Sequence, residues 1–248
     1  MGTAIVIDVR DPYADTDTRE RAIEAAFEQL RGVDRRFSTY KADSEVSRLN
    51  AGELAVSQVS PELSWVLAAC EDARGLSDGY FDIRGHRRDG TLDPSGLVKG
   101  WSIEGAARIL EAAGVVNYSI NAAGDVLTRG EPEPGTPWRI GIRNPWDPGT
   151  TVAVLGARDL AIATSGAYER GEHVIVPHTG RAPDGIASMT VTGPSLTWAD
   201  AWATAAFAMG VRGVDWVARE LDGYEACAVS ADRHLVMSAG FADLMAER

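Results

Sequence analysis

The chain has 248 residues and a formal net charge of −12, with 45% hydrophobic and 24% charged residues. This composition is ordinary for a globular protein with a substantial core. The acidic balance argues against a nucleic-acid binder, because such proteins concentrate Lys and Arg on one face. No apolar run approaches the roughly 18 residues of a membrane span, and the opening MGTAIVIDVRD lacks the basic region of a signal peptide. We therefore expect a cytoplasmic protein that binds neither nucleic acid nor a membrane.

Helices are predicted mainly in the first half of the chain, and strands mainly in its middle. Helical spacing and capping residues predict early helices at 18–37, 60–77 and 102–114. β-Branched and alternating stretches predict strands at 3–10, in a hairpin over 117–130, and within 138–145, 151–166 and 185–194. A helix at 213–221, two short strands and a terminal helical piece follow. This order predicts an α+β fold rather than a doubly wound parallel sheet.

One carboxylate stands inside the apolar stretch TWADAWATAAFAMG, which spans 197–210. Asp200 follows Thr197 by three residues, and composition alone favours a capping box at the start of a helix. The alternative is that Asp200 and Thr204, one helical turn apart, share a face and both present oxygen. Oxygen ligands of this kind suit a hard cation such as Mg²⁺. Both interpretations stay open at this point.

The stretch LDPSGLVKGWS, at 92–102, combines small residues with Asp93 and Lys99 ahead of a predicted helix. Backbone amides at such a helix start can approach an anion, and Lys99 would add positive charge. From this stretch alone we favour the simpler interpretation, in which Asp93 starts a turn and Lys99 is a solvated surface residue. Neither GxxxxGK[ST] nor GxGxxG occurs, so the chain has no P-loop or Rossmann fingerprint.

The histidines and cysteines give weak indications of a metal site. His173 and His178 lie in a polar, Gly- and Pro-punctuated segment, but Pro177 separates them and no third ligand follows. Cys70 and Cys227 form neither a CxxC motif nor a metal-ligand spacing, so we expect buried free thiols.

The order of the motifs is more informative than any one of them. From the N-terminus the chain reads MGT before a strand, then STY with SEVSRLN, GYFDI, LDPSGLVKG, NAAGD, WRIGIRNP, ATSGAYER with a following H and PHTG, and ADAWATAAFAMG. This series resembles the ApbE family, the FAD:protein FMN transferases, over essentially the whole chain. Each motif is short, and eight in the same order with sensible spacings make the resemblance specific.

The resemblance implies one flavin transferase domain over 1–248, an α+β fold of two lobes with mostly antiparallel or mixed sheets, packed helices and FAD in the cleft between the lobes. It implies Mg²⁺-dependent transfer of FMN from FAD to a threonine of a partner flavoprotein, with release of AMP; Mn²⁺ is an alternative metal. The implied metal ligands are the Gly96 carbonyl, Asp200 and Thr204, and the implied base is His173. The implied FAD contacts are Met1, Tyr40, Tyr80, Phe81, Asp82, Asp93, Lys99 and Val174.

The chain departs from the family pattern at three places. Val176 stands where the family's histidine motif has an aspartate, Ala123 replaces a glycine of the NAAGD motif, and RGHRRDG is shorter than the insertion of long members. Three alternatives stay open. The same cleft could hydrolyse FAD to FMN and AMP with Mg²⁺, or, as the Val176 change makes worth keeping, bind FAD without turnover. With the resemblance set aside, the chain could be an acidic binding module whose Asp200 is only a cap.

Overall fold

The computed structural model describes residues 4–11, 15–85, 90–166 and 174–246. The helices are α1 (Thr16–Phe37), α2 (Glu45–Asn50), α3 (Pro61–Leu76), α4 (Ser95–Ala112), α5 (Leu196–Ala208), α6 (Gly213–Glu220) and α7 (Ala239–Asp243). The strands are β1 (Ile5–Val9), β2 (Tyr118–Ala122), β3 (Asp125–Arg129), β4 (Trp138–Arg143), β5 (Thr151–Ala157), β6 (Ala161–Gly166), β7 (Ile186–Gly193), β8 (Glu225–Ser230) and β9 (Leu235–Met237). Short 3₁₀ turns lie at Val56–Gln58 and Gly210–Arg212.

One large sheet carries the strands in the order β1-β2-β3-β6-β7-β8-β9. Its described strand pairs are all antiparallel, as are those of the separate two-stranded ribbon β4–β5. Helices and antiparallel strands are therefore segregated rather than alternating, which confirms the predicted α+β class.

The two faces of the large sheet bury two different cores, because neighbouring side chains of a strand point to opposite faces. Leu127 and Ala161 face each other across the ladder and belong to the larger core, which also contains the buried faces of α1, α3, α4 and α5. Their neighbours Val126 and Ile162 belong to a smaller core with the ribbon β4–β5 and Phe241 of α7. The sheet therefore separates a helical layer from a ribbon layer.

Helix α4 begins seven residues earlier than predicted, at Ser95 instead of residue 102. Gly96 and Gly100 lower the helix propensity of this segment, which hid the start of the helix from local reasoning. Packing explains why a glycine is needed here. A β-carbon at Gly100 would lie 2.2 Å from the carbonyl oxygen of Leu196, so α4 and α5 cross with their backbones in near contact.

The β2–β3 hairpin turns at Ala123 and Gly124, which both have positive φ, 49° and 98°. Asn121 stabilises the turn, since its Oδ1 accepts a hydrogen bond of 3.0 Å from the Gly124 amide. Two central residues with positive φ are typical of the tightest hairpins and favour glycine. Ala123, which stands where the family has glycine, therefore occupies a strained conformation.

Ala123→Gly is expected to stabilise the protein by about 0.5 kcal/mol, because relief of the left-handed strain exceeds the entropy that glycine adds to the unfolded chain. Urea unfolding followed by circular dichroism measures the change. Ala25→Gly, at an exposed position of α1, is the control and should destabilise by about 1 kcal/mol. Equal destabilisation by both variants would show that Ala123 is not strained.

Both cysteines are buried and unbridged, as predicted. Burial raises the pKa of each thiol to about 12. None of the helices in the described ranges combines the length and apolar character needed to cross a bilayer.

Candidate functional site

A cavity of about 840 Å³ lies between the helical layer and the ribbon. Its volume falls in the range of pockets that bind small molecules and cofactors. Ten of the predicted site residues line it: Tyr40, Tyr80, Phe81, Asp82, Asp93, Gly96, Lys99, Val174, Asp200 and Thr204. Met1 and His173 lie outside the described residues. The structure thus brings together side chains that the sequence spreads over more than 160 positions.

The start of helix α5 shows that the capping-box interpretation of Asp200 is wrong. The helix begins at Leu196 with Ser195 as its cap, which places Asp200 beyond the first turn. Glu104 of α4 stabilises this helix start from across the interface. One of its oxygens accepts hydrogen bonds from the Ser195 hydroxyl and the Leu196 amide, both at 2.7 Å, and the other accepts from the Thr197 hydroxyl at 2.7 Å. Ser195, and not Thr197 with Asp200, therefore caps this helix.

Asp200 is instead anchored to the neighbouring helix. The residue is only 4% exposed, and its Oδ2 accepts a hydrogen bond of 3.1 Å from the Gly100 amide in α4. Thr204 lies one turn further along α5 and shares a 3.4 Å hydrogen bond with the Ser165 hydroxyl of β6. A β-carbon at Gly96 would lie 3.1 Å from the Thr204 Oγ1, so these two residues approach closely. The three predicted metal ligands thus lie at the crossing of α4 and α5.

The donor set at this crossing suits a hard cation. The described residues contain no group of three or more His, Cys, Asp or Glu side chains that could hold a metal. A cation here would be held by one carboxylate, from Asp200, together with neutral oxygens such as the Thr204 hydroxyl and the Gly96 carbonyl. Mg²⁺ and Mn²⁺ accept such oxygen donors, and Mg²⁺ in particular keeps waters or ligand phosphate oxygens in its remaining positions. The residues present therefore fit the metal that the resemblance implies.

Lys99 is not the solvated surface residue that local reasoning favoured. Its side chain is 20% exposed, and its ammonium lies 2.6 Å from Asp125 Oδ2 and 3.8 Å from Asp200 Oδ1. Asp125 is fully buried at the start of β3, where its Oδ1 accepts a hydrogen bond of 3.1 Å from the Thr164 amide. Sequence reasoning gave Asp125 no role, although it ends the NAAGD motif.

Asp93 lies at a junction that is held by a neighbouring element. Asn50, the last residue of α2, forms two hydrogen bonds with the backbone of Leu92. Its side chain donates to the Leu92 carbonyl at 3.0 Å and accepts from the Leu92 amide at 2.8 Å. The Asp93 amide donates to the Ile83 carbonyl at 2.8 Å. The SRLN, FDI and LDPSG motifs are therefore joined by hydrogen bonds beside the cavity.

Aromatic side chains contribute to the cavity wall. Phe81 is buried, whereas Tyr40 is 84% exposed at the rim, where it could cover a bound planar ring. Tyr80 lies between two other residues: its hydroxyl accepts a hydrogen bond from Arg212, and its ring meets the His178 ring edge-on at 4.6 Å. His178 thus ties its segment, which includes Val174, to the GYFDI motif.

Val176 faces the large core with a partly buried side chain, although the family pattern has an aspartate there. Its amide donates to the Arg181 carbonyl at 2.8 Å, and its own carbonyl accepts from the amides of Thr179 and Gly180. The backbone of this turn is therefore held by bonds that do not need a carboxylate.

Several cavity residues were missed by sequence reasoning. They share small, hydroxyl or cationic side chains within motifs that were quoted without assigning a role: Ser38, Thr39, Arg143, Thr164 and Ser165. Their positions within the motifs were the only available signal, since hydroxyl residues in strands and loops are common on any surface.

Comparison with known proteins agrees with this geometry. The ApbE family model matches residues 1–87 and 83–228. A FAD:protein FMN transferase of Vibrio cholerae is 28% identical over 268 residues, covering 85% of this chain and 79% of the relative. One from Haemophilus influenzae is 25% identical over 272 residues, with the same shares covered.

Solved structures show the same fold. The flavin transferase ApbE of Vibrio cholerae matches with a TM-score of 0.81 and 25% identity, over 98% of this chain and 96% of that chain. An ApbE protein of Thermotoga maritima matches with a TM-score of 0.82 and 24% identity, over 99% and 97% of the two chains. The fold is thus the one these proteins share. With most of its length matched by the family model, the chain belongs to the ApbE family.

Proposed function

We propose that this protein transfers FMN from FAD to a threonine hydroxyl of a partner flavoprotein and releases AMP. One observation supports the proposal most strongly: ten residues that match the family's site positions line one cavity. The relatives of this chain are FAD:protein FMN transferases. The acceptor threonine follows from the family resemblance, and the cytoplasmic location stays a prediction from the sequence.

The metal in this proposal is Mg²⁺, with Mn²⁺ as the alternative, held by Asp200, Thr204 and the Gly96 carbonyl. When bound, it would neutralise the FAD pyrophosphate and polarise the bond that breaks. Such a cation would also offset the repulsion between a protein with a net charge of −12 and a dianionic ligand.

The chain's own residues then bind and orient the reactants. Lys99 presents an ammonium in the cavity, and Tyr40 and Phe81 flank the planar rings of FAD. His173 accepts the proton from the incoming threonine hydroxyl. The threonine oxygen forms a bond to the FMN phosphorus, and the bridging bond to the AMP phosphate breaks with AMP as the leaving group. Such a transfer needs positioning and charge neutralisation more than a covalent protein intermediate.

Incubation with FAD and Mg²⁺, with and without a candidate flavoprotein, tests the proposal. We expect covalent flavin on the acceptor together with an equal amount of AMP, and neither product in EDTA. An acceptor whose threonine is replaced by valine is the control and should stay unlabelled. AMP without labelled acceptor would instead identify a FAD hydrolase, and bound but intact FAD would identify a binding protein, an outcome made relevant by Val176.

A further inference from the structure

Lys99 lies between two buried carboxylates, and its ammonium is closer to one of them than to the other. Its ammonium is 2.6 Å from Asp125 Oδ2 but 3.8 Å from Asp200 Oδ1. Asp125 is 0% exposed and Asp200 4% exposed, so water screens neither carboxylate well. The ammonium therefore belongs mainly to Asp125.

Each carboxylate also accepts a hydrogen bond from a backbone amide, which fixes its position. The Thr164 amide donates to Asp125 Oδ1 and the Gly100 amide donates to Asp200 Oδ2, each at 3.1 Å. Lys99 is the flexible partner, since its ammonium is carried by a four-carbon stem. Two fixed carboxylates therefore compete for this ammonium.

An ammonium and a divalent cation compete for the same carboxylate. If the Lys99 ammonium paired fully with Asp200, it would neutralise the one carboxylate of the proposed metal site. The ammonium is instead paired more closely with Asp125, and Lys99 still lines the cavity.

We propose that Asp125 is a positioning residue that holds the Lys99 ammonium away from Asp200 and so keeps the Asp200 carboxylate available to a divalent cation. This inference rests on the proposed function, in which Asp200 is a metal ligand. Asp125 touches neither the metal nor the reacting atoms in this scheme and acts through Lys99.

A simpler role for Asp125 would be to add one negative charge near the cation. The two roles predict different changes in metal affinity when Lys99 is replaced. If Asp125 acts only through its charge, Lys99→Met increases metal affinity by the same factor whether or not Asp125 is present. If Asp125 restrains Lys99, the gain is much larger in Asp125→Asn, where the ammonium has moved onto Asp200.

A double-mutant cycle on the full chain tests this difference. The measured quantity is the Mn²⁺ affinity without FAD, from the electron paramagnetic resonance signal of free Mn²⁺, for the wild type, Asp125→Asn, Lys99→Met and the double variant. We expect Asp125→Asn to weaken binding by about tenfold or more, since it lets an ammonium pair with the metal's carboxylate. We also expect the gain from Lys99→Met to be at least about tenfold larger in the Asp125→Asn background than in the wild type.

Equal gains in the two backgrounds would overturn the inference and leave the proposed function intact. A wild type that binds no Mn²⁺ would overturn both the inference and the proposed metal site. Asn can still accept the hydrogen bond from Thr164, and thermal unfolding checks that each variant is folded. If Asp125→Asn is unfolded, Asp125→Ser with and without Lys99→Met supplies the same comparison.

Discussion

Replacing Asp200 with asparagine is expected to slow Mg²⁺-dependent AMP release from FAD by at least about 100-fold, since a bound metal contributes several kcal/mol of charge stabilisation. The substitution removes the one carboxylate of the proposed metal site and keeps the shape of the side chain. The asparagine oxygen can still accept the hydrogen bond from the Gly100 amide. The free energy of unfolding should therefore fall by less than about 2 kcal/mol.

Steady-state AMP release over a range of Mg²⁺ concentrations measures this effect, and urea unfolding measures stability. Asp215→Asn is the matched control, because Asp215 is an exposed aspartate of α6 whose side chain is 75% accessible. It should leave the rate within about twofold of the wild type. Full activity in Asp200→Asn would show that this carboxylate holds no metal. A loss of stability that matches the loss of activity would show a structural role instead.

Gly100→Ala is expected to cause a large loss of stability, about 3 kcal/mol or more, because overpacking against a backbone has no easy relief. The added β-carbon would lie 2.2 Å from the Leu196 carbonyl oxygen and 2.9 Å from the Thr197 Cα. Relief requires α4 and α5 to move apart. That movement would also separate the Gly100 amide from Asp200 and Gly96 from Thr204, so FAD turnover should fall even in the folded fraction.

Gly75→Ala is the control for this substitution. Gly75 lies in the last turn of α3, and a β-carbon there meets nothing within 4 Å. Alanine should stabilise this helix by up to about 1 kcal/mol. Urea unfolding of both variants gives the comparison, and a Gly100→Ala protein as stable as the wild type would mean that the two helices do not cross as closely as described.

Local sequence patterns predicted most helices and strands. They did not predict the first residues of α4 and α5, the two helices that cross each other. Helix α1 was expected from residue 18 and begins at Thr16, and the strand at 185–194 corresponds to Ile186–Gly193. By contrast, α4 begins at Ser95, seven residues early, and α5 takes its cap from Ser195 with help from Glu104. The two early residues of α1 lie within the usual scatter of helix ends. The starts of α4 and α5 depend on contacts between helices, which no window of neighbouring residues contains.

The sequence by itself determined the fold class, the family motifs and their order and, through the family resemblance, ten site residues that the structure then places around one cavity. Periodicity and caps are local, and motif order is a property of the chain, so none of these needed coordinates. Only the tertiary structure decided what Lys99 and Glu104 do. Lys99 finds Asp125 on a different element, and Glu104 reaches the start of α5 more than 90 positions away. Charge pairing depends on distance in space, and only packing sets that distance.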